Sequence, residues 1–140
     1  MTLETTVRWK NDMQFVGVSG SGHAVVMDTN PHDGGTNTGP TTMEALLTAL
    51  AGCTGMDVVS LLKKMRVDFT RLEIKVRGER RKEHPRIFTR IDLEYTVYGN
   101  DIDESAVKRA IDLSQGKYCS VAGMLRPACP INYKYQIVSQ

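Results

Sequence analysis

The sequence predicts an α+β fold in one domain, and three observations support this. Short segments that alternate apolar and polar residues, the period of a β-strand, lie before and after one long apolar stretch. That stretch, residues 42–66, is long enough for a central helix. Tight turns join most strands, which indicates hairpins and excludes an alternating parallel fold. We therefore expect a single domain over residues 1–140, with antiparallel sheets wrapping a long buried central helix in the order βββ-α-ββ-αα-β.

The N-terminal residues predict an antiparallel meander of three strands. In residues 3–9 the side chains of Leu3, Thr5, Val7 and Trp9 share one face, as in a strand. Two further strands are expected over 13–18 and 23–28, after turns at 11–12 and 19–22. A loop rich in Gly, Asn and Pro follows at 29–40.

The central helix is predicted to begin after a capping box. Thr41 is the expected N-cap and Glu44 lies three positions later, which is the spacing of that motif. The following residues are apolar almost all round, and such a helix is buried on all sides. In a chain this small, a sheet can cover one side of the helix, and a dimer partner is the simplest candidate to cover the other side.

The C-terminal half predicts two strands, two helices and a closing strand. The strands over 69–77 and 87–98 alternate, and a nine-residue polar and basic connection separates them. Expected inward residues of the strands are Leu72, Ile74, Val76, Ile87, Ile91, Leu93, Tyr95 and Val97. Asp103 caps a helix over about 104–115, a short helix follows at 120–125, and 131–138 is the last strand. The inner face of the first of these helices is expected to hold Val107, Ala110, Ile111 and Ser114.

Composition and charge exclude several classes of protein. Eighteen basic and sixteen acidic residues leave a net charge of +2, which argues against a dedicated partner of nucleic acid or of an anionic membrane. We expect no membrane span, because no apolar run looks long enough, and the N-terminus is unlike a signal peptide. Three cysteines are too few for a disulfide scaffold, so we expect free thiols and a cytoplasmic location.

Cys53 is the first candidate functional residue. It lies inside the long helix between Gly52 and Gly55, and glycine inside a helix costs about 1 kcal/mol relative to alanine. That cost is tolerable where a ligand or another backbone must approach closely. The alternative is a small buried core residue, which is common for free cysteine. Asp57, one turn later, disfavours a thiolate and so argues against an activated sulfur.

Cys119 and Cys129 are the other two thiols. Cys119 precedes the short helix and follows Lys117, and both features are expected to lower its pKa. A buried cysteine at a bend is the alternative. Cys129 lies in a loop and has no evident partner. The cysteines and histidines show no metal-ligand spacing, so we expect no metal site and no cofactor.

Two further features admit a structural or a functional interpretation. The basic connection over 77–86 is either a solvated hairpin tip or a handle for an anionic ligand. His32 and Asp33 lie in the glycine-rich loop before the helix and either line its entrance or have no chemical role.

Two segments resemble the OsmC/Ohr family of osmotically induced and organic hydroperoxide resistance proteins. Residues 39–54, GPTTMEALLTALAGCT, are similar to the signature of its central helix, and residues 117–121, KYCSV, to its second cysteine segment. The resemblance covers essentially the whole chain. It implies an intertwined α+β homodimer, a role in the oxidative stress response, and peroxiredoxin-like, thiol-dependent reduction of organic hydroperoxides.

The resemblance also implies roles for two cysteines. Cys53 matches the peroxidatic position and Cys119 the resolving position. The Cys53 thiolate would attack a peroxide oxygen, release an alcohol and become a sulfenic acid. Cys119 would then form a disulfide with it, which a dithiol reductant would reverse. A buried apolar pocket would favour an organic hydroperoxide, or another small apolar ligand, over hydrogen peroxide.

Two departures from the family pattern leave alternatives open. The family's activating arginine has no match between Trp9 and Cys53, and its glutamate ten residues before the first cysteine is replaced by Met43. Glu44 is nine residues away, a rotation of about 900° that turns it from Cys53. The chain thus resembles the OsmC-like branch that lies apart from the dedicated peroxidases.

Three hypotheses remain from the sequence. The first is a weak thiol peroxidase that draws an arginine from 77–86 or from a partner subunit. The second is a non-peroxidase dimer that binds a small molecule or senses redox state. The third is that Cys53 and Cys119 serve packing alone.

Overall fold

The computed structural model describes residues Met1–Gln140 in two compact units, Met1–Leu46 and Leu47–Gln140. The elements follow the predicted order, with three strands, a long helix, two strands, two helices and a final strand. The predicted α+β class is confirmed.

The first unit holds a three-stranded antiparallel meander, as predicted. Strands β1 (Thr5–Asn11), β2 (Gln14–Ser19) and β3 (Ala24–Met27) pair in chain order. The pairing places Val7 opposite Gly17 and Val16 opposite Val26.

A buried carboxylate organises the loop that follows β3. The Asp28 carboxylate accepts hydrogen bonds from the backbone N–H of Thr29 (2.7 Å) and Thr38 (3.1 Å). It also accepts from the hydroxyls of Thr36 (2.9 Å) and Thr38 (2.5 Å). These donors hold the pKa of Asp28 far below its ordinary value, the Thr38 hydroxyl contributing most. The charged carboxylate thereby closes the loop on itself.

Helix α1 (Thr42–Lys64) begins at the predicted capping box. The Glu44 carboxylate accepts from the Thr41 N–H (2.9 Å), and the Thr41 hydroxyl accepts from the Glu44 N–H (3.2 Å). The chain covers one face of the helix, where Leu50, Thr54, Val58 and Leu62 are fully buried. The remaining surface of α1 is half-buried or open in the single chain, with Met56 77% exposed. The apolar residues that stay accessible explain why the sequence of α1 is apolar on all sides: another surface must bury them.

By length and composition alone, α1 could cross a membrane. Its 23 residues contain an 18-residue window of mean hydropathy 1.7, of which 22% is buried. The prediction that no apolar run reaches such a length is therefore wrong. One helix of this kind is weak support for a membrane span, because the core helix of a soluble protein has the same character.

The second unit contains a mixed three-stranded sheet. Strand β4 (Arg71–Arg80) pairs antiparallel with β5 (Phe88–Tyr98), as predicted. Strand β6 (Ile131–Val138) pairs parallel to β5, so the expectation of purely antiparallel sheets is wrong. The two helices between β5 and β6 form the crossover that a parallel pair requires.

A β-bulge corrects one predicted core position. Glu79 faces Arg90 but the next residue, Arg80, faces Phe88, so β5 carries an extra residue at this point. The shift buries Phe88 (6% exposed) and leaves Ile87 exposed (38%), the reverse of the predicted alternation. The Phe88 ring occupies the space where a Cβ would stand at Gly78, so glycine is required there.

Two helices follow β5. Helix α2 (Glu104–Leu113) is capped by Asp103, whose carboxylate accepts from the Ser105 N–H (3.0 Å). It ends earlier than predicted, because a π-helical turn takes over at Ser114–Tyr118. Helix α3 (Ser120–Leu125) matches its predicted bounds. The predicted inner face is confirmed by four residues with no exposed surface, Val107, Ala110, Ile111 and Ser114.

Candidate functional site

The second unit brings Cys53 and Cys119 together, with Asp57 beside them. The two sulfur atoms and a carboxylate oxygen all lie within 4.8 Å of one another. Cys53 and Asp57 are one turn apart on α1 and therefore share a face of the helix. Cys119, which directly precedes α3, brings its sulfur to the same place. We call these three residues the thiol cluster.

The two sulfurs of the cluster differ in burial. Cys53 and Asp57 are half-buried, whereas Cys119 is only 5% exposed. All three cysteines of the chain are free thiols in the structure. Solvent and small molecules therefore reach Cys53 more readily than Cys119.

The predicted lowering of the Cys119 pKa is wrong. Burial raises the pKa of this thiol to about 11, and the neighbouring Cys53 and the Asp57 carboxylate add to the rise. The Ala122 N–H donates to the Cys119 sulfur (3.4 Å), the expected effect of a helix N-terminus, but it only partly offsets burial. Cys119 is thus a neutral thiol near pH 7.

A buried hydrogen-bond network extends from the cluster into the core. The Ser114 hydroxyl donates to Asp57 Oδ2 (2.9 Å) and lies 2.7 Å from the Thr54 hydroxyl. The Thr54 hydroxyl also pairs with the Tyr95 hydroxyl (2.7 Å). Thr54, Tyr95 and Ser114 have no exposed surface. Burial raises the pKa of Tyr95 to about 12, so its hydroxyl stays protonated.

Gln115 links this network to an arginine. Its side-chain amide donates to Tyr95 Oη (2.8 Å) and to Thr54 Oγ1 (3.2 Å). The Arg126 guanidinium donates to the Gln115 backbone carbonyl (2.6 Å) and to its Oε1 (3.0 Å). Arg126 therefore orients Gln115, and its hydrogen bonds go to that residue, not to a sulfur of the cluster.

Sequence reasoning missed most of this network. Thr54 follows Cys53 directly, but a threonine in an apolar helix gives no sign of its partners. The π-helical turn aims Ser114 and Gln115 inward together, and that turn was not predicted. A glutamine one position after an inner helical face was the available signal for Gln115.

The other sequence candidates lie outside the thiol cluster. Cys129 is buried (6% exposed), and burial raises its pKa. In the 77–86 hairpin, the Arg80, Arg81 and Arg86 side chains donate to backbone carbonyls of the hairpin itself, which supports a structural role. Asp33 accepts a hydrogen bond from the Asn30 side chain in its own 3-10 turn (2.7 Å).

An apolar pocket at the cysteines stays a prediction. An open groove of about 1020 Å³ runs between α1 and β4. It is lined by Gly52, Gly55, Met56, Val59, Leu72 and Ile74, among others. Helical periodicity places Gly55 and Val59 about 160° and 120° around α1 from Cys53, whereas Met56 lies only about 60° from it, so the groove ends beside the cysteine.

Comparison with known proteins places the chain in a family. The model of the OsmC-like protein family matches residues 35–134. The chain belongs to the OsmC-like family. Protein YhfA of Escherichia coli strain K12 is similar over 137 residues at 44% identity, which cover 98% of this chain and 99% of YhfA. The resemblance found in the two cysteine segments is therefore confirmed.

Solved structures agree with the OsmC-like fold. A hypothetical protein from Aquifex aeolicus VF5 is 28% identical with a TM-score of 0.88, covering 100% of this chain and 98% of that one. The organic hydroperoxide resistance protein OhrB of Bacillus subtilis is 16% identical with a TM-score of 0.64, covering 97% of this chain and 98% of OhrB. At that identity OhrB shows the shared fold alone.

Proposed function

We propose that this OsmC-like protein reduces organic hydroperoxides through Cys53 and Cys119. The observation that carries the proposal is the convergence of the two sulfurs, from separate elements, in the thiol cluster. Their burial fits a division of roles. The more accessible Cys53 meets the peroxide, and the buried neutral Cys119 resolves the product.

The reaction balances with these two thiols and one dithiol reductant. The Cys53 thiolate attacks the distal peroxide oxygen, the O–O bond breaks, and the leaving alkoxide takes a proton to become an alcohol. The Cys119 sulfur then attacks the Cys53 sulfenic acid, which forms a disulfide and releases water. A dithiol reductant reduces that disulfide through thiol–disulfide exchange. No further cofactor enters the cycle.

The electrostatics of the cluster favour a slow reaction. Asp57 sets a negative charge next to the sulfurs, and Arg126 is bonded to Gln115. A peroxidatic thiolate is stabilised by positive charge, whereas the charged neighbour of Cys53 in the cluster is a carboxylate. We therefore expect turnover well below that of a peroxidase whose thiolate faces an arginine, unless a partner subunit supplies one.

Thiol loss on addition of one equivalent of cumene hydroperoxide tests the proposal. The wild type should lose two thiols per chain faster than a free thiol does, and mass spectrometry should find a Cys53–Cys119 disulfide. Cys53→Ser should abolish the reaction. Cys119→Ser should stop at a sulfenic acid that a dimedone probe captures. Cys129→Ser is the matched control and should behave as the wild type; undiminished activity in Cys53→Ser would overturn the proposal.

The proposal includes a cytoplasmic homodimer. The free thiols suit a reducing compartment, and the open groove along α1 supplies an apolar face for a second copy. Light scattering should give twice the chain mass. Met56→Asp in the groove should yield monomer, whereas Met124→Asp, at an equally exposed methionine on α3 (79%), is the control. A wild-type monomer would contradict this part.

A second candidate function is a dimer that binds a small molecule or senses redox state. The half-buried carboxylate of Asp57 beside the thiols favours it, because a negative charge there opposes peroxide attack. Under this hypothesis the thiols react with hydroperoxide no faster than a free thiol does. The thiol-loss assay separates the two functions directly.

A further inference from the structure

The thiol cluster has the composition of a metal-ligand set. Cys53, Asp57 and Cys119 each offer one ligand atom, and these atoms lie within 4.8 Å of one another. Two sulfurs bound at about 2.3 Å to one tetrahedral zinc ion lie about 3.8 Å apart. A small contraction therefore suffices for the three groups to share one ion. The half-buried positions of Cys53 and Asp57 leave the ion a way in.

The state of Asp57 is the second observation. The peroxide chemistry has no use for this carboxylate, and none of the four ion pairs in the structure includes it. Its Oδ2 accepts a hydrogen bond from the fully buried Ser114 hydroxyl (2.9 Å), which fixes its orientation. A fixed, half-buried carboxylate without a cation is costly, and metal-binding carboxylates are commonly held by such a second hydrogen bond.

We propose that the reduced protein binds one zinc ion per chain through Cys53, Asp57 and Cys119. The ion replaces the two thiol protons, which pass to solvent, and leaves a fourth position for water or a small ligand. Two thiolates select a borderline or soft cation and discriminate against magnesium and calcium. Sequence spacing could not reveal the site, because only the Cys53–Asp57 pair is local.

The site goes beyond the proposed peroxidase function and uses the same sulfurs in their reduced state. A hydroperoxide that oxidises the pair would expel the ion. The zinc-bound dithiolate, one hydroperoxide and two protons give the disulfide, an alcohol, water and free zinc ion. Two electrons pass from the sulfurs to the peroxide, and the metal keeps its charge.

Competition with a chromophoric chelator tests the site on the full-length protein. Reduced, metal-free wild type should take up one zinc ion per chain, and the disulfide form should take up none. Cobalt in place of zinc should give a thiolate-to-metal charge-transfer band. Cys53→Ser and Cys119→Ser should lose that band, and Cys129→Ser, the matched control, should keep it. Magnesium should not compete.

Asp57→Asn tests the third ligand with little change in shape. Zinc affinity should fall at least about tenfold, and Ser114→Ala should weaken binding by roughly 10- to 100-fold through the lost orientation of Asp57. Circular dichroism checks that each variant folds. Absence of zinc uptake by the reduced wild type, or unchanged affinity in Asp57→Asn, would overturn the inference.

The two proposals fail separately. Peroxide consumption is measured on metal-free protein, so its absence alongside normal zinc uptake rejects the peroxidase function alone. Normal peroxide consumption without zinc uptake rejects the metal site alone.

Discussion

Replacement of Tyr95 by phenylalanine removes one hydroxyl from the buried network and leaves the ring in place. Tyr95 has no exposed surface, and its hydroxyl is 2.7 Å from Thr54 Oγ1 and 2.8 Å from Gln115 Nε2. Thr54 keeps its contact with Ser114, and Gln115 keeps its bond to Thr54. No partner is therefore left entirely unpaired, and no cavity larger than a hydroxyl forms.

The expected loss follows from two buried hydrogen bonds, each with a net worth of about 0.5–1.5 kcal/mol. We expect Tyr95→Phe to lower the free energy of unfolding by about 1.5–2 kcal/mol. An unfolding entropy of roughly 2.1 cal/mol/K per residue over 140 residues converts this loss into a fall in Tm of about 5–7 °C.

Thermal and urea unfolding at one protein concentration measure the change, since oligomerisation shifts the apparent Tm. Tyr133→Phe is the matched control. This variant loses the hydrogen bond from the Tyr133 hydroxyl to Asp112 (2.8 Å). Tyr133 is 39% exposed, so water takes the place of the lost hydroxyl. The substitution should cost less than about 0.5 kcal/mol. A Tyr95→Phe loss no larger than that of the control would refute the reasoning.

Three further predictions concern pH and packing. Because burial raises the pKa of Tyr95 to about 12 from the unfolded value of 10, its contribution to stability is complete below pH 10 and is lost as the pH rises to 12. This loss is on the order of 3 kcal/mol; the wild type should show it and Tyr95→Phe should lack it. The pKa of Asp28 is depressed, so its contribution is present above pH 4 and declines in acid; acid unfolding should depend less on pH in Asp28→Asn, and an unchanged profile would contradict this. Phe88→Ala should cost about 3–5 kcal/mol in urea unfolding and Ile87→Ala under about 1 kcal/mol, and the reverse order would contradict the bulged register.

Local signals made the helices predictable. The capping box needs only Thr41 and Glu44, and both of its hydrogen bonds form. The inner face of α2 follows from a period of 3.6, and its predicted residues are all buried. Such features depend on residues within one or two turns of each other, so the sequence displays them directly.

Features that depend on distant residues were not predictable. The parallel direction of β6 depends on the path that the chain takes from one strand to the other. The alternation of apolar and polar residues is the same in a parallel and an antiparallel strand, so it could not reveal this direction. The register shift at Glu79 buries Phe88 where alternation had predicted Ile87. A bulge adds one residue to a strand and leaves no strong signal in the sequence, so it was not predicted. The Cys119 pKa was predicted in the wrong direction because a helix N-terminus and a lysine are local, whereas burial is not.

Asp57 affects both proposed uses of the two thiols in the cluster. A carboxylate this close to two sulfurs disfavours a second negative charge beside it, so under the proposed peroxidase function it would slow the attack on peroxide. The same carboxylate favours a cation between the sulfurs, because its oxygen is a third negatively charged ligand beside the two thiolates. An activating arginine would have the opposite effects, since its positive charge stabilises a thiolate and repels a cation. The absence of that arginine from the matching stretch of sequence and the presence of Asp57 in the cluster therefore both favour the proposed cation site over a fast peroxidase.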